Sequence, residues 1–157
     1  MATTRLILTP EAAHFPSSNY AALSVINNRP VLLFDGTTDE FAYWTTIAWQ
    51  GLSGALTAIV HCFAVTGASG TLSFDCALEA ITDGDTTNLN TTDSFGTDNT
   101  GTGTVGGTGY EETVSITLTN NDSIAVGDLV RVRLNRDNAG DGVTGDVAVT
   151  AIEIREA

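Results

Sequence analysis

GTGTVGGTGYEETVSITL, residues 101–118, is the stretch on which the fold turns. Its first six residues match G-x-G-x-x-G, the turn of a dinucleotide-binding α/β protein. That motif works only where a buried strand leads in and a helix leads out, its N-terminal N–H groups aimed at a pyrophosphate. Here TDSFGTDNT leads in, and EETVSITL leads out. Val114, Ile116 and Leu118 alternate with Ser115, Thr117 and Thr119, the period of a strand and not of a helix. The nucleotide reading fails for want of its context. Residues 93–109 read instead as a long surface loop or an extended two-stranded flap, with Thr in β conformation and Gly at the bends.

The pattern repeats on both sides. VLLF (31–34), FAYWTTIAWQ (41–50), LTAIVHCFAV (56–65), TLSFDCALEAIT (71–82), ETVSITLTN (112–120), LVRVRLNR (129–136) and VAVTAIEIRE (147–156) are rich in β-branched and aromatic residues. Gly, Asp and Asn bound each run. No window carries the i, i+3, i+4, i+7 apolar spacing with helix caps. Strands without helices between them predict an all-β fold, an antiparallel β-sandwich or jelly roll. Residues 1–30 differ. RLIL and AALSVI are possible short strands, but all three prolines fall in this stretch, which reads as an extended N-terminal arm. The domain organisation is therefore an arm, 1–30, and a jelly-roll β-sandwich, 31–157.

Composition narrows the function. The 157 residues carry 19 acids and six bases, a net charge of −13, and every base is an arginine. Such a chain gains nothing from counterion release on nucleic acid and is repelled by anionic lipid, so neither partner is expected. No apolar run approaches the length of a membrane span, and MATTRLILTPEAAHF shows no secretory signal. Cys62 and Cys76 fall within strand runs, as buried thiols or as one cross-strand disulfide.

The run 56–65 is apolar on both faces. A turn at TGASG is expected to pair it antiparallel with 71–82. Leu56, Ala58, Val60, Cys62 and Ala64 then face the core, opposite Leu72, Phe74, Cys76 and Leu78. That leaves Ile59, His61, Phe63 and Val65 on the other face. An antiparallel strand apolar on both sides is covered on both. The cover is a loop, the N-terminal segment or another subunit, which makes these four residues candidates for an oligomer interface. His61 is expected to meet Asp75 or Glu79 diagonally.

Catalytic signatures are missing. His14 and His61 lie in different kinds of segment, and there is no H-E-x-x-H, no G-x-S-x-G and no Cys–His zinc spacing. Glu111 and Glu112 are adjacent on a strand and point to opposite faces. No enzyme and no cofactor are expected. The acidic turns DGD (Asp83, Asp85) and DNAGDGVTGD (Asp137, Asp141, Asp146) have the oxygen ligands that calcium demands, without an EF-hand register.

Three segments carry a resemblance. FDGTTDEFAYW, TVSITLTNNDSIAVGDLVRVRLNRD and TGDVAVTAIEIRE, within 31–157, resemble small jelly-roll virion proteins of tailed phages. The resemblance implies a non-enzymatic capsid decoration protein on the capsid exterior, made in the host cytoplasm. It further implies a homotrimer whose partner is the phage major capsid protein. Trimerisation would cover the Ile59/Phe63/Val65 face or the aromatic positions Phe41, Tyr43 and Trp49. The alternative is a tail-fibre, receptor-binding or carbohydrate-binding β-sandwich, in which an exposed Trp44 and Trp49 stack on sugar rings.

Overall fold

A computed structural model describes residues 1–157. Ten strands are present: β1 (Thr3–Leu8), β2 (Ala22–Ile26), β3 (Arg29–Phe34), β4 (Phe41–Ile47), β5 (Leu56–Ala64), β6 (Thr71–Ile81), β7 (Asn99–Thr104), β8 (Glu112–Thr117), β9 (Leu129–Arg136) and β10 (Val147–Glu156). The helical content is one 3₁₀ turn, Pro10–Ala12, and no helix is long and apolar enough to cross a membrane.

The strands form two antiparallel sheets packed as a β-sandwich. One has six strands, β2-β3-β10-β5-β8, with β1 also on β10; the other is β4-β9-β6-β7. The long β10 pairs along its whole length with β5. Its opposite edge holds two partners in succession, β3 against Val147–Val149 and β1 from Ile152 onward. Alternation does what the sequence promised. Leu56, Ala58, Val60, Cys62 and Ala64 face the core, as do Leu72, Phe74, Cys76 and Leu78, within one 28-residue apolar cluster. Phe34 and Phe74 meet edge to face across it, with ring centroids 5.7 Å apart.

The expected pairing of 56–65 with 71–82 is not found. β5 belongs to the six-stranded sheet and β6 to the four-stranded one. TGASG is thus a crossover between layers, and the inward residues of the two strands meet face to face. Periodicity reports which way a side chain points, not which sheet holds its strand. Cys62 and Cys76 are free buried thiols. Burial pushes both up to about 12, so they stay protonated.

GTGTVG lies mostly in β7, the edge strand beside β6. A Cβ on Gly101 would overlap the Ser115 carbonyl and Ile116 Cγ1, and one on Gly103 would press on Val114. These glycines let the two sheets close against each other along β7 and β8. Close backbone approach, not phosphate, is what they serve.

Residues 1–30 are not an arm laid outside the sandwich. β1 pairs with β10 and β2 with β3, both within the six-stranded sheet. Between them the chain crosses to the free edge of β4. The His14 and Tyr43 main chains exchange hydrogen bonds at 2.8 and 3.0 Å, and Phe41 N–H donates to the Asn19 carbonyl at 2.9 Å. This segment stitches the sheets along one side and covers an edge that would otherwise be open.

Arg136 ends β9 with no exposed surface. Its Nε and Nη2 grip both oxygens of Asp141 at 3.0 and 2.9 Å. Nη1 donates to the carbonyls of Phe34, Asp35 and Gly145, and Nη2 to that of Val143 at 2.6 Å. Asp141 also accepts from the Ser73 and Val143 N–H groups. This corrects the calcium reading of Asp137, Asp141 and Asp146. Asp141 is committed to a guanidinium, whose positive charge repels a second cation. Asp137 accepts from Ser73 Oγ and Ala139 N–H, and Asp146 turns its carbonyl to Val65 N–H. No group of three acidic, His or Cys side chains is placed to hold a metal, Asp83 and Asp85 included.

Removing one partner of a buried, fully bonded ion pair strands the other charge. Arg136→Ala is therefore expected to lower stability by about 3–5 kcal/mol. Arg136→Lys should recover little, because an ammonium cannot reproduce the planar fork. Urea unfolding midpoints at constant slope check both.

Candidate functional site

A groove of about 620 Å³ opens on the outer face of the six-stranded sheet, lined among others by Ile26, Asn27, Arg29, Phe63, Glu111 and Thr150. Each wall has a local cause. Asn27 and Asn28 adopt positive φ, 47° and 63°, and close β2 and β3 in a two-residue turn. Asparagine tolerates this left-handed geometry, which the primed hairpin turn requires. The turn raises Ile26, Asn27 and Arg29 on one side.

The floor comes from β5 and β10. Phe63 is half-buried, paired with Ala148. The ladder slips between Val149 and Ala151, leaving Thr150 outside the pairing; its Oγ1 donates to the His61 carbonyl at 3.2 Å. Such a bulge re-aims side chains on a sheet face. The third wall is the approach to β8. Gly109, at φ 76°, donates its N–H to the Ala64 carbonyl at 2.9 Å, bringing Glu111 beside the floor.

His61 stands next to Phe63 on the same face, between two carboxylates. Its Nδ1 lies 2.8 Å from Glu111 Oε1 and its Nε2 3.1 Å from Glu153 Oε1. The expected contact with Asp75 or Glu79 does not form, since those residues belong to the other sheet. Glu153 also accepts from Arg155 Nε at 2.7 Å and Thr4 Oγ1 at 2.9 Å. Arg155, Thr4 and His61, in that order, hold its carboxyl down to about 2.

The four interface candidates divide. Ile59 is only 9% exposed, His61 is bound by its carboxylates, Val65 sits half-buried beyond the strand end, and Phe63 lines the groove. The face is mixed and grooved, not a bare apolar patch. Sequence reasoning missed Asn27, Arg29, Glu111 and Thr150. The Asn-Asn pair was a usable hairpin signal for the first two; Glu111 was noted only as half of an adjacent acidic pair, and nothing local marked Thr150.

The tryptophans are not a stacking pair. Trp44 is 2% exposed and donates Nε1–H to the Thr9 carbonyl at 2.8 Å. Trp49 is partly buried against the core and donates to Glu156 Oε2 at 3.1 Å. Glu156 is itself buried. The N–H groups of Ser53 and Gly54, at 2.6 and 2.7 Å, with Trp49 and then Arg5, hold its carboxyl down to about 2.

The outer face of the four-stranded sheet is closed by the chain itself. Phe95 lies 5.7 Å from the Tyr43 ring, with Arg131 and Arg133 over its faces at 4.8 and 4.9 Å. Arg131 holds Glu79 and Asp93, and Arg133 holds Asp98. Burial raises the Glu79 carboxyl, but bonds from Arg131 and Ser94 outweigh it and the net direction is down.

No family model matches this chain, and no curated protein does. Solved structures give the fold. CBM35 from Cellvibrio japonicus Abf62 is similar over 98% of this chain and 92% of its own, with TM-score 0.53 and 14% identity. A mannan-recognising carbohydrate-binding module, TmCBM27, covers 100% and 99% at TM-score 0.47 and 13% identity. CBM28, specific for non-crystalline cellulose, covers 94% and 88% at 0.47 and 10%. The likeness is one of fold. Of the resemblance to phage proteins, it supports the jelly-roll β-sandwich.

Glu153 generates a pH test. With its folded value near 2 and its ordinary value 4.5, the unfolded chain binds more protons between those pH values. Its contribution is therefore full above pH 4.5 and lost as pH falls through about 2. The Tm gap between wild type and Glu153→Gln should be constant above that window and close across it, read by thermal melts in a pH series.

Proposed function

We propose that this chain is a non-catalytic carbohydrate-binding β-sandwich that takes its glycan in the groove over Phe63. One observation carries the reading: an aromatic floor ringed by an amide, a guanidinium, a hydroxyl and a carboxylate in about 620 Å³. Binding sites have this build, an apolar surface with a few convergent polar groups that fix orientation. A pyranose offers the complement, an apolar C–H face for a ring and a rim of hydroxyls for Asn27, Arg29, Thr150 and Glu111. The likeness of fold to a CBM35 supports it. The non-catalytic part rests on the groove's own side chains: the Cys62 thiol stays protonated, and Thr150 Oγ1 is spent on the His61 carbonyl.

A second reading, capsid decoration, rests on the sequence resemblance alone. In GDLVRVRLNRD, which carries it, Arg131, Arg133 and Arg136 anchor the fold, so the likeness falls on scaffolding. Co-sedimentation with phage capsids separates this reading from the first.

A glycan array followed by calorimetry tests the main reading. Phe63→Ala should weaken binding by more than about 10-fold, and Arg29→Ala by less. Thr45→Ala, on the other sheet, should change nothing. No binding to any glycan, or full binding by a folded Phe63→Ala protein, would discard the assignment.

A further inference from the structure

The free edges of the two sheets are not treated alike. The edge of β4 is bonded by residues 14–21, and β7 and β8 close against each other through Gly101 and Gly103. β1 has Arg5 and a register slip between Thr4 and Leu6, two devices that discourage pairing. β2 has none. Ala22–Ile26 reads ALSVI, without charge, Pro, Gly or bulge, and pairs only with β3. On it Leu23 and Val25 are 52% and 66% exposed.

We propose that two copies of this chain pair through β2, antiparallel about a two-fold axis at Ser24, to make one continuous sheet. The register follows from the hairpin. In a two-residue turn the flanking residues, Ile26 and Arg29, form a hydrogen-bonded pair. Pairs alternate along an antiparallel ladder, so Ala22, Ser24 and Ile26 turn their main chain to β3, and Leu23 and Val25 turn theirs outward. With the axis at Ser24, Leu23 faces Val25 of the second copy, and the reverse. Outward donors meet outward acceptors, giving about four hydrogen bonds. The same pairing sets Leu23 against Val25 on one face, apolar on apolar.

Charge selects a second copy as the occupant. The chain carries −13, so most of its surface repels its own kind, yet from Ala12 to Phe34 there is no acidic residue. Repulsion from the remaining surface is screened beyond about 8–10 Å at moderate salt. A self-complementary edge strand in an acid-free stretch is a two-fold interface of the isologous kind.

Sedimentation over a concentration series is the test. Wild type should approach twice the 16.3 kDa chain mass. Val25→Lys, a charge placed on the edge twice per dimer, should weaken association by about 100-fold with an unchanged far-ultraviolet spectrum. Ser24→Cys should cross-link rapidly on mild oxidation. Residues facing each other in a non-hydrogen-bonded pair lie about 4.5 Å apart at Cα, within the disulfide range of about 4.4–6.8 Å. A wild-type monomer at every concentration, a trimer, or a dimer indifferent to Val25→Lys would overturn the proposal. Failure of Ser24→Cys to cross-link faster than Thr45→Cys would overturn the register.

Discussion

A charge without solvent must be surrounded, and the guanidinium of Arg136 sets that requirement for one end of this sandwich. Its donors are met by Asp141 and by the carbonyls of Phe34, Asp35, Val143 and Gly145. Those acceptors come from the end of β3, the turn after it and the loop into β10. Asp141 then reaches β6 through the Ser73 N–H. One side chain thereby ties the end of β9 to both sheets. Desolvating it is expensive, and close coordination offsets that; the irregular loop 137–146 supplies Asp141 and the Val143 and Gly145 carbonyls for it.

The groove inherits that rigidity. β10 enters its pairing directly after the Arg136-bound loop, and its bulge at Thr150 falls a few residues on. The ladders of β10 to β5, β3 and β1 then hold the bulge beside His61. The glycine contacts between β7 and β8 close one flank, and residues 9–21 close the other. What stays open is the outer face of the six-stranded sheet. The matching face of the four-stranded sheet is filled by Phe95 between two arginines.

Strand by strand, much of this was legible. Period-two alternation located seven strands and the inward residues of β5 and β6, because a buried face imposes that pattern directly. Partnership was not legible. TGASG has the composition of a hairpin turn, and only the competition of β8 and β10 for β5 makes it a crossover. β7 was missed as a regular strand because Gly and Thr serve loops and close-packed edges alike. The partners of the Trp44 and Trp49 indole N–H groups were not legible, since Thr9 and Glu156 lie far away in sequence. The site was half visible. The outward residues of β5 drew attention to Phe63 and His61, whereas Arg29, Glu111 and Thr150 reach the groove through a hairpin, a loop and a bulge.

The arginines explain how so acidic a chain folds at all. Arg5, Arg131, Arg133, Arg136 and Arg155 each hold a carboxylate, so internal pairing removes both signs from the surface balance together. Of the acids without an arginine, Asp128 is buried and held by Thr82 Oγ1 and Ala125 N–H; those at the surface favour solubility and oppose association. Arg29 is the base that holds no carboxylate, and it lies in the groove, at the end of the acid-free stretch that includes β2. The same stretch borders an aromatic floor and an open strand edge. In a molecule of this charge, that is where contact with anything else meets the least opposition.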